Sequence, residues 1–261
     1  MMGLSFSVKI GVPNSARRLI WNTFFAKERR GVAFEKHLPW HSDPDTRTVL
    51  VSSSPDCVVG AAIIRPAEQI GVAMIGFVCV DELERGRGYA RDLVAAVNVV
   101  VRDLGYHTAL LWTGLPSVYT RSGYQEISQD IFLKVKQRPC KQPTGFPITV
   151  EPWPDYSDQV GLPAFALSAQ RLRSNRAEAI VAEGPRGTTL IDWRGASEDI
   201  VMTMGAAGYS SWSVNIPAGS ELLEALPKDQ FFIEATKGAV TMAYRSDDMV
   251  AIEHVPVARR I

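Results

Sequence analysis

Apolar and polar positions along the first half of the chain fall into short blocks with two different periods. Residues 6–10 alternate apolar and polar, which predicts a strand. Pro13-Asn14-Ser15 can open a helix, and Ala16, Leu19, Ile20, Phe24 and Phe25 give it one buried face up to Gly31. Residues 48–52 and 57–64 predict a hairpin about the turn Ser53-Ser54-Pro55-Asp56. Residues 71–80 form a continuous apolar run, as a buried strand requires. After a short polar turn, Ala90, Leu93, Val94, Val97, Val101 and Leu104 recur at helical spacing up to the stop signal Gly105. A strand over 106–113, a short helix over 116–122 and a long strand over 125–135 complete this half. Five or six strands with helices between them predict an α/β fold built on a mixed sheet.

Residues 32–46 show no period and hold Phe34, Glu35, His37, Trp40, His41, Asp43 and Asp45 among prolines. Such a segment can wall a substrate site, or it can be a surface connection pinned by Trp40 and Phe34. Lys136-Gln-Arg-Pro-Cys-Lys-Gln-Pro-Thr-Gly-Phe146 is rich in proline and basic residues and marks a boundary near residue 145. The expected domains are therefore 1–140 and 146–261.

Beyond the boundary the pattern predicts a strand at 148–150 and a helix over about 157–173, with Val160, Ala164, Leu167 and Leu172 buried. Strands at 179–182 and 188–193 follow, then a helix over 196–207 ending at Gly208, a strand at 211–216, a helix over 219–226 and a long strand over 231–244. Residues 250–257 could form a last strand. Gly105-Tyr106 and Pro116 in the first half are echoed by Gly208-Tyr209 and Pro217, roughly 100 residues on. The second half reads either as a degenerate second copy of the first fold or as an unrelated cap or dimerisation domain.

Composition changes this picture little. The 261 residues are 46% hydrophobic and 21% charged, with 28 basic and 28 acidic side chains, so nothing argues for nucleic acid or an anionic membrane. No apolar run approaches the roughly 18 residues of a membrane-spanning helix. The N-terminus lacks a signal-peptide hydrophobic region, and Gly3 stands too late for myristoylation. Cys57, Cys79 and Cys140 have neither zinc nor disulfide spacing and read as reduced thiols of a cytoplasmic protein. The four histidines are scattered, which gives no metal constellation. Neither a Gly-x-Ser-x-Gly elbow nor a Walker motif is present.

The chemistry concentrates after the buried strand, in Arg85-Gly86-Arg87-Gly88-Tyr89-Ala90. Glycines at a helix start let a ligand approach the backbone. The first helical N–H groups lack intrahelical partners and carry the positive end of the helix dipole. With Arg85 and Arg87 beside it, this turn suits an anion, most simply a pyrophosphate.

Arg85-x-x-Gly88-x-Ala90 resembles the acetyl-CoA-binding signature of the GNAT acetyltransferase superfamily, Arg/Gln-x-x-Gly-x-Gly/Ala. Leu110-Leu111-Trp112-Thr113 followed by Val118-Tyr119-Thr120-Arg121-Ser122-Gly123-Tyr124 resembles a second feature of that family, with Val118 where an aromatic residue is usual. The resemblance covers roughly residues 5–136. It implies that the backbone of residues 85–90 binds the pyrophosphate of acetyl-CoA. It also implies that the backbone of Val78 and Val80 pairs with the pantetheine arm, in a sheet splayed between residues 72–80 and 109–113. Tyr119 would then be the general acid, since a phenol of pKa about 10 matches a departing thiol. Ser117 is a weaker alternative. The family's acid on the strand before the cradle is missing here. Asp81, Glu82, Glu84, Glu35, His37 and His41 are the remaining candidates for a base, beside water.

The expected activity is acetyl transfer from acetyl-CoA to a primary amine of a small molecule by direct attack. The second half would wall the acceptor cleft or make a homodimer. The alternatives are a non-catalytic CoA-binding module and a nucleotide-binding domain of another kind.

Overall fold

The computed structural model describes residues 4–26, 31–54, 57–139, 146–154, 160–245 and 252–261. In the first half the elements are β1 (Ser5–Ile10), α1 (Asn14–Phe24), α2 (Phe34–His37), β2 (Arg47–Ser54), β3 (Cys57–Pro66), β4 (Val72–Val80), α3 (Tyr89–Asp103), β5 (Thr108–Thr113), α4 (Ser117–Thr120) and β6 (Gln125–Gln137). In the second they are β7 (Thr149–Trp153), β8 (Ser168–Arg173), β9 (Glu178–Gly184), β10 (Gly187–Arg194), α5 (Ser197–Ala206), β11 (Ser211–Ile216), α6 (Glu221–Glu224) and β12 (Phe231–Arg245). The fold is mixed α/β, as expected. Among the described residues, no helix is long and apolar enough to cross a membrane.

The chain folds as two compact units. One holds residues 1–127, 240–254 and 260–261; the other holds 128–239 and 255–259. The first unit's sheet runs β1-β2-β3-β4-β5-β12, all antiparallel except for β4 and β5. Only Val240–Arg245 of β12 serves here, paired with β5 from Val240–Thr113 to Arg245–Thr108. The second unit's sheet runs β12-β6-β11-β10-β9-β8-β7, again with one parallel pair, β10 and β11. Each unit thus takes the strand beside its fifth from the other half of the sequence: β12 stands next to β5, and β6 next to β11. The units are not the consecutive blocks 1–140 and 146–261 of the sequence reading. The boundary segment 140–145 lies outside the described residues, as do Pro55 and Asp56 of the expected hairpin turn.

Helix α3 is rich in valine, a weak helix former, so packing must hold it. Leu93, Val94, Val97 and Val101 are buried against Val49, Val51, Ile64, Ala73, Ile75, Ala109 and Leu111 of the sheet. Val240 and Met242 of β12 belong to the same core. Helix α1 packs on β3 and β4 and buries Ala16, Leu19 and Ile20. In the second unit α5 takes the place of α3, burying Ile200 and Met204 against Leu133, Val181, Leu190 and Val214. Both helices end in the same way. Gly105 N–H donates to Arg102 O and Tyr106 N–H to Val101 O; Gly208 N–H donates to Gly205 O and Tyr209 N–H to Met204 O. Both glycines hold positive φ, 81° and 84°. The echo of Gly105-Tyr106 in Gly208-Tyr209 is therefore a repeated helix stop.

Two expectations fail in the second half. The helix over 157–173 is absent from its described part: Ser168–Arg173 is strand β8, hydrogen-bonded to β7 on one side and β9 on the other. Gln170, Arg171, Leu172 and Arg173 are helix formers by propensity, and pairing on both edges overrides that preference. Leu162 and Ala166 are buried, covering the sheet without being helical. Of the expected strand 250–257, residues 250 and 251 lie outside the described residues. Residues 252–256 have no regular structure, and Val257–Arg259 is a 3-10 turn.

Candidate active site

Strands β4 and β5 are parallel, so both C-terminal ends open on one side of the first unit's sheet. They pair only at Val72–Thr108, Ala73–Ala109 and Met74–Leu110. Beyond that point they part, which is the splay the sequence reading expects. A bulge in β4 widens it. Ala61 faces Cys79 and Ile63 faces Gly76, so Phe77 and Val78 together oppose Ala62. Phe77 has φ 50°, and its ring contacts Phe24 at 5.3 Å and Phe25 at 6.2 Å on the α1 face. Val78 turns to the α3 core.

The alternation of hydrogen bonds leaves one side of β4 open at this place. Asp81 N–H donates to Val59 O at 2.8 Å, so the N–H and C=O of Val80 point away from β3, toward the gap. The Val80 carbonyl accepts from Arg85 Nε at 3.3 Å.

The turn between β4 and α3 stands at one lip. Gly86 and Gly88 hold φ 78° and 85°, a region that side-chain-bearing residues avoid. A Cβ at Gly86 would meet nothing within 4 Å, and one at Gly88 only Arg91 Nη2 at 3.8 Å. Space is therefore open beside the α3 N-terminus, whose first N–H groups have no intrahelical acceptor. Residues 85–90 fit a pyrophosphate in space, in backbone donors and in dipole. The two expected arginines are partly engaged: Arg85 through Val80, and Arg87 with Glu84 at 2.8 Å. Arg91 lies just outside the Arg85–Ala90 signature and pairs with Asp92 at 3.1 Å. It sits one turn after Gly88, on the same side of the helix.

Helix α4 stands at the other lip, directly after β5. Tyr119 is half-buried against the α3 core, with its ring 5.9 Å from that of Tyr124. Burial raises its pKa above the ordinary phenol value, which keeps it protonated. Ser117 is exposed on the same helix. Cys79 is buried, and burial pushes its thiol up to about 12, which suits packing and not acyl carriage.

The candidate bases are engaged elsewhere. Asp81 Oδ1 accepts from Leu83 N–H at 3.0 Å, Glu84 pairs with Arg87, and Glu35 lies 3.8 Å from Arg17. Buried His37 accepts from Val32 N–H through Nε2 at 3.2 Å and packs on Phe25. His41 Nδ1 bonds Leu38 O at 2.8 Å. Glu82 is exposed just past the end of β4. Trp40 is buried under the Arg65 guanidinium, 4.5 Å from its ring, so the 32–46 segment is pinned as one of its two readings has it.

The second unit repeats the splay without the cradle. Strands β10 and β11 pair only at Thr189–Ser213 and Leu190–Val214, and β10 bulges after Leu190. Helix α5, however, carries Glu198 and Asp199 in its first turn, which disfavour an anion. A Cβ at Gly195 would sit 2.6 Å from the Arg176 carbonyl, so the chain itself fills the approach.

The sequence pattern of the acetyltransferase (GNAT) family matches residues 14–126. Solved structures resemble nearly the whole chain. A Pyrococcus horikoshii protein is 16% identical with a TM-score of 0.62, covering 93% of this chain and 90% of its own. A GCN5-related N-acetyltransferase from Anabaena variabilis is 14% identical with a TM-score of 0.61, covering 92% of this chain and 72% of its own. A tandem GNAT protein from the clavulanic acid biosynthesis pathway is 11% identical with a TM-score of 0.60, covering 95% of this chain and all of its own. No curated protein matches the chain by sequence. At these identities the structures speak for the fold alone, which both units carry; residues 14–126, which hold the splay and the cradle, are the part of the chain that matches the acetyltransferase (GNAT) family.

Proposed function

We propose that the first unit transfers an acetyl group from acetyl-CoA to a primary amine of a small molecule. The observation that carries this reading is the pair of parallel strands parting beyond Met74–Leu110, with an anion cradle after one and a protonated tyrosine after the other. Acetyl-CoA supplies the activated thioester. Residues 85–90 and Arg91 hold its pyrophosphate, and the backbone of Val78 and Val80 orients its pantetheine arm like an added strand. The amine nitrogen forms the new bond to the acyl carbon while the carbon–sulfur bond breaks. The Tyr119 phenol gives its proton to the departing sulfur. The proton lost by the amine restores it through water, since the nearby acids and histidines are otherwise engaged.

The engaged acids favour a second reading, a CoA-binding module without catalysis. Release of free thiol from acetyl-CoA, followed with a panel of primary amines, separates the two. Amine-dependent release supports transfer; tight acetyl-CoA binding with no release under any amine supports the module.

A further inference from the structure

The α3 side of the splay is closed by packed core, with Ile75, Leu93 and Leu111 buried there. An acceptor must therefore come from the other face, where Phe24, Phe77 and Trp112 are half-exposed. Two residues from the far end of the sequence already lie on that face. The Ile261 main chain stands where any side chain at Gly76 would be, with Ile261 Cγ1 2.8 Å from the position of a Cβ. The Arg260 guanidinium lies 5.1 Å from the centre of the Trp112 ring. Gly76 is on β4 and Trp112 on β5, so the segment spans both lips of the gap. Gly76 does not hold a positive φ; its glycine makes room for Ile261.

We infer that Arg260–Ile261 form the acceptor-side wall of the splay and set the width of the amine that can reach the thioester. The inference rests on the acyl-transfer reading above. Phe24, Phe77, Trp112 and the Ile261 side chain give the approach an apolar side, with the Arg260 guanidinium on Trp112 at its edge, which suits a slim primary amine carried on a hydrocarbon body. The same wall keeps water from the thioester.

The test compares the unaltered protein with Ile261→Ala, Ile261→Trp and Gly76→Val. The readouts are acetyl-CoA affinity, thiol release with ethylamine, butylamine, phenethylamine and tryptamine, and thiol release with no amine. All four proteins should bind acetyl-CoA equally. Ile261→Ala and Gly76→Val should shift kcat/KM about tenfold toward the wider amines or raise amine-free hydrolysis by a similar factor, and Ile261→Trp should do the reverse. Equal binding with unchanged amine preference and unchanged hydrolysis in all variants overturns the wall. Failure of the unaltered protein to bind acetyl-CoA overturns the acyl-transfer reading itself, and the wall with it.

Discussion

Tyr119 is the residue on which chemistry and structure meet most directly. It stays protonated because burial raises its pKa, and it follows β5 at the mouth of the splay. Replacing it by Phe should lower kcat about 100-fold while acetyl-CoA affinity barely moves. Steady-state kinetics beside a binding isotherm would show this, and an equal loss of affinity would make Tyr119 a binding residue only. In the unaltered protein the alkaline limb of kcat should lie above about 10, since the acid is lost only on deprotonation.

Cys79 supplies a second test at this scale. Its folded thiol is raised to about 12 from an ordinary 9.0, chiefly by desolvation. A raised pKa means that the neutral form is favoured in the fold. The stabilisation is complete below pH 9 and is lost as pH climbs toward 12, up to roughly 4 kcal/mol. Urea unfolding of the unaltered protein should therefore weaken faster over that range than that of Cys79→Ala. Parallel curves would contradict the buried thiol.

At the scale of elements, the glycine turn and α3 were legible because each depends on near neighbours in sequence. The Arg85–Ala90 spacing, the helical stripe from Leu93 to Val101 and the stop at Gly105 all appear where the sequence put them. The bulge at Phe77 was not legible. It arises from cross-strand register with Ala62, and residues 71–80 read simply as a strand. Strand β8 was missed because its residues prefer helix and only its two neighbours make it a strand. The cradle gives a sharp test. Gly88→Val fills the open space and forces a branched side chain to φ 85°, whereas Gly105→Val imposes similar backbone strain at the opposite end of α3, where nothing lies within 4 Å. Calorimetric titration should find acetyl-CoA affinity lost in the first and retained in the second. Equal affinities would mean that the turn does not hold the cofactor.

For the whole molecule, most strands were readable along the chain, β8 excepted, but the sheet partners of β6 and β12 were not. Alternating residues say that β6 and β12 are strands; they do not say which edge each will join. In the fold, Val240 and Met242 complete the α3 core and Tyr244 lies 5.7 Å from Tyr124, so residues 1–140 lack part of their own unit. A fragment of 1–140 should show no cooperative unfolding transition by circular dichroism, while the full chain unfolds in one. A fragment that melts cooperatively at the full chain's temperature would refute the exchange. For the same reason the second half, whose α5 start is acidic and filled by Arg176, should add stability and no second cofactor site.

The most direct measurement is thermal unfolding of the full chain with acetyl-CoA, ATP or NAD. A ligand at about a hundred times its dissociation constant stabilises the folded state by roughly 2.7 kcal/mol, a shift of a few degrees for a chain of this size. A shift with acetyl-CoA alone, abolished by Gly88→Val, is the expected result. A shift with ATP or NAD instead, or none with acetyl-CoA, would contradict the reading of the β4–α3 turn as an acetyl-CoA cradle.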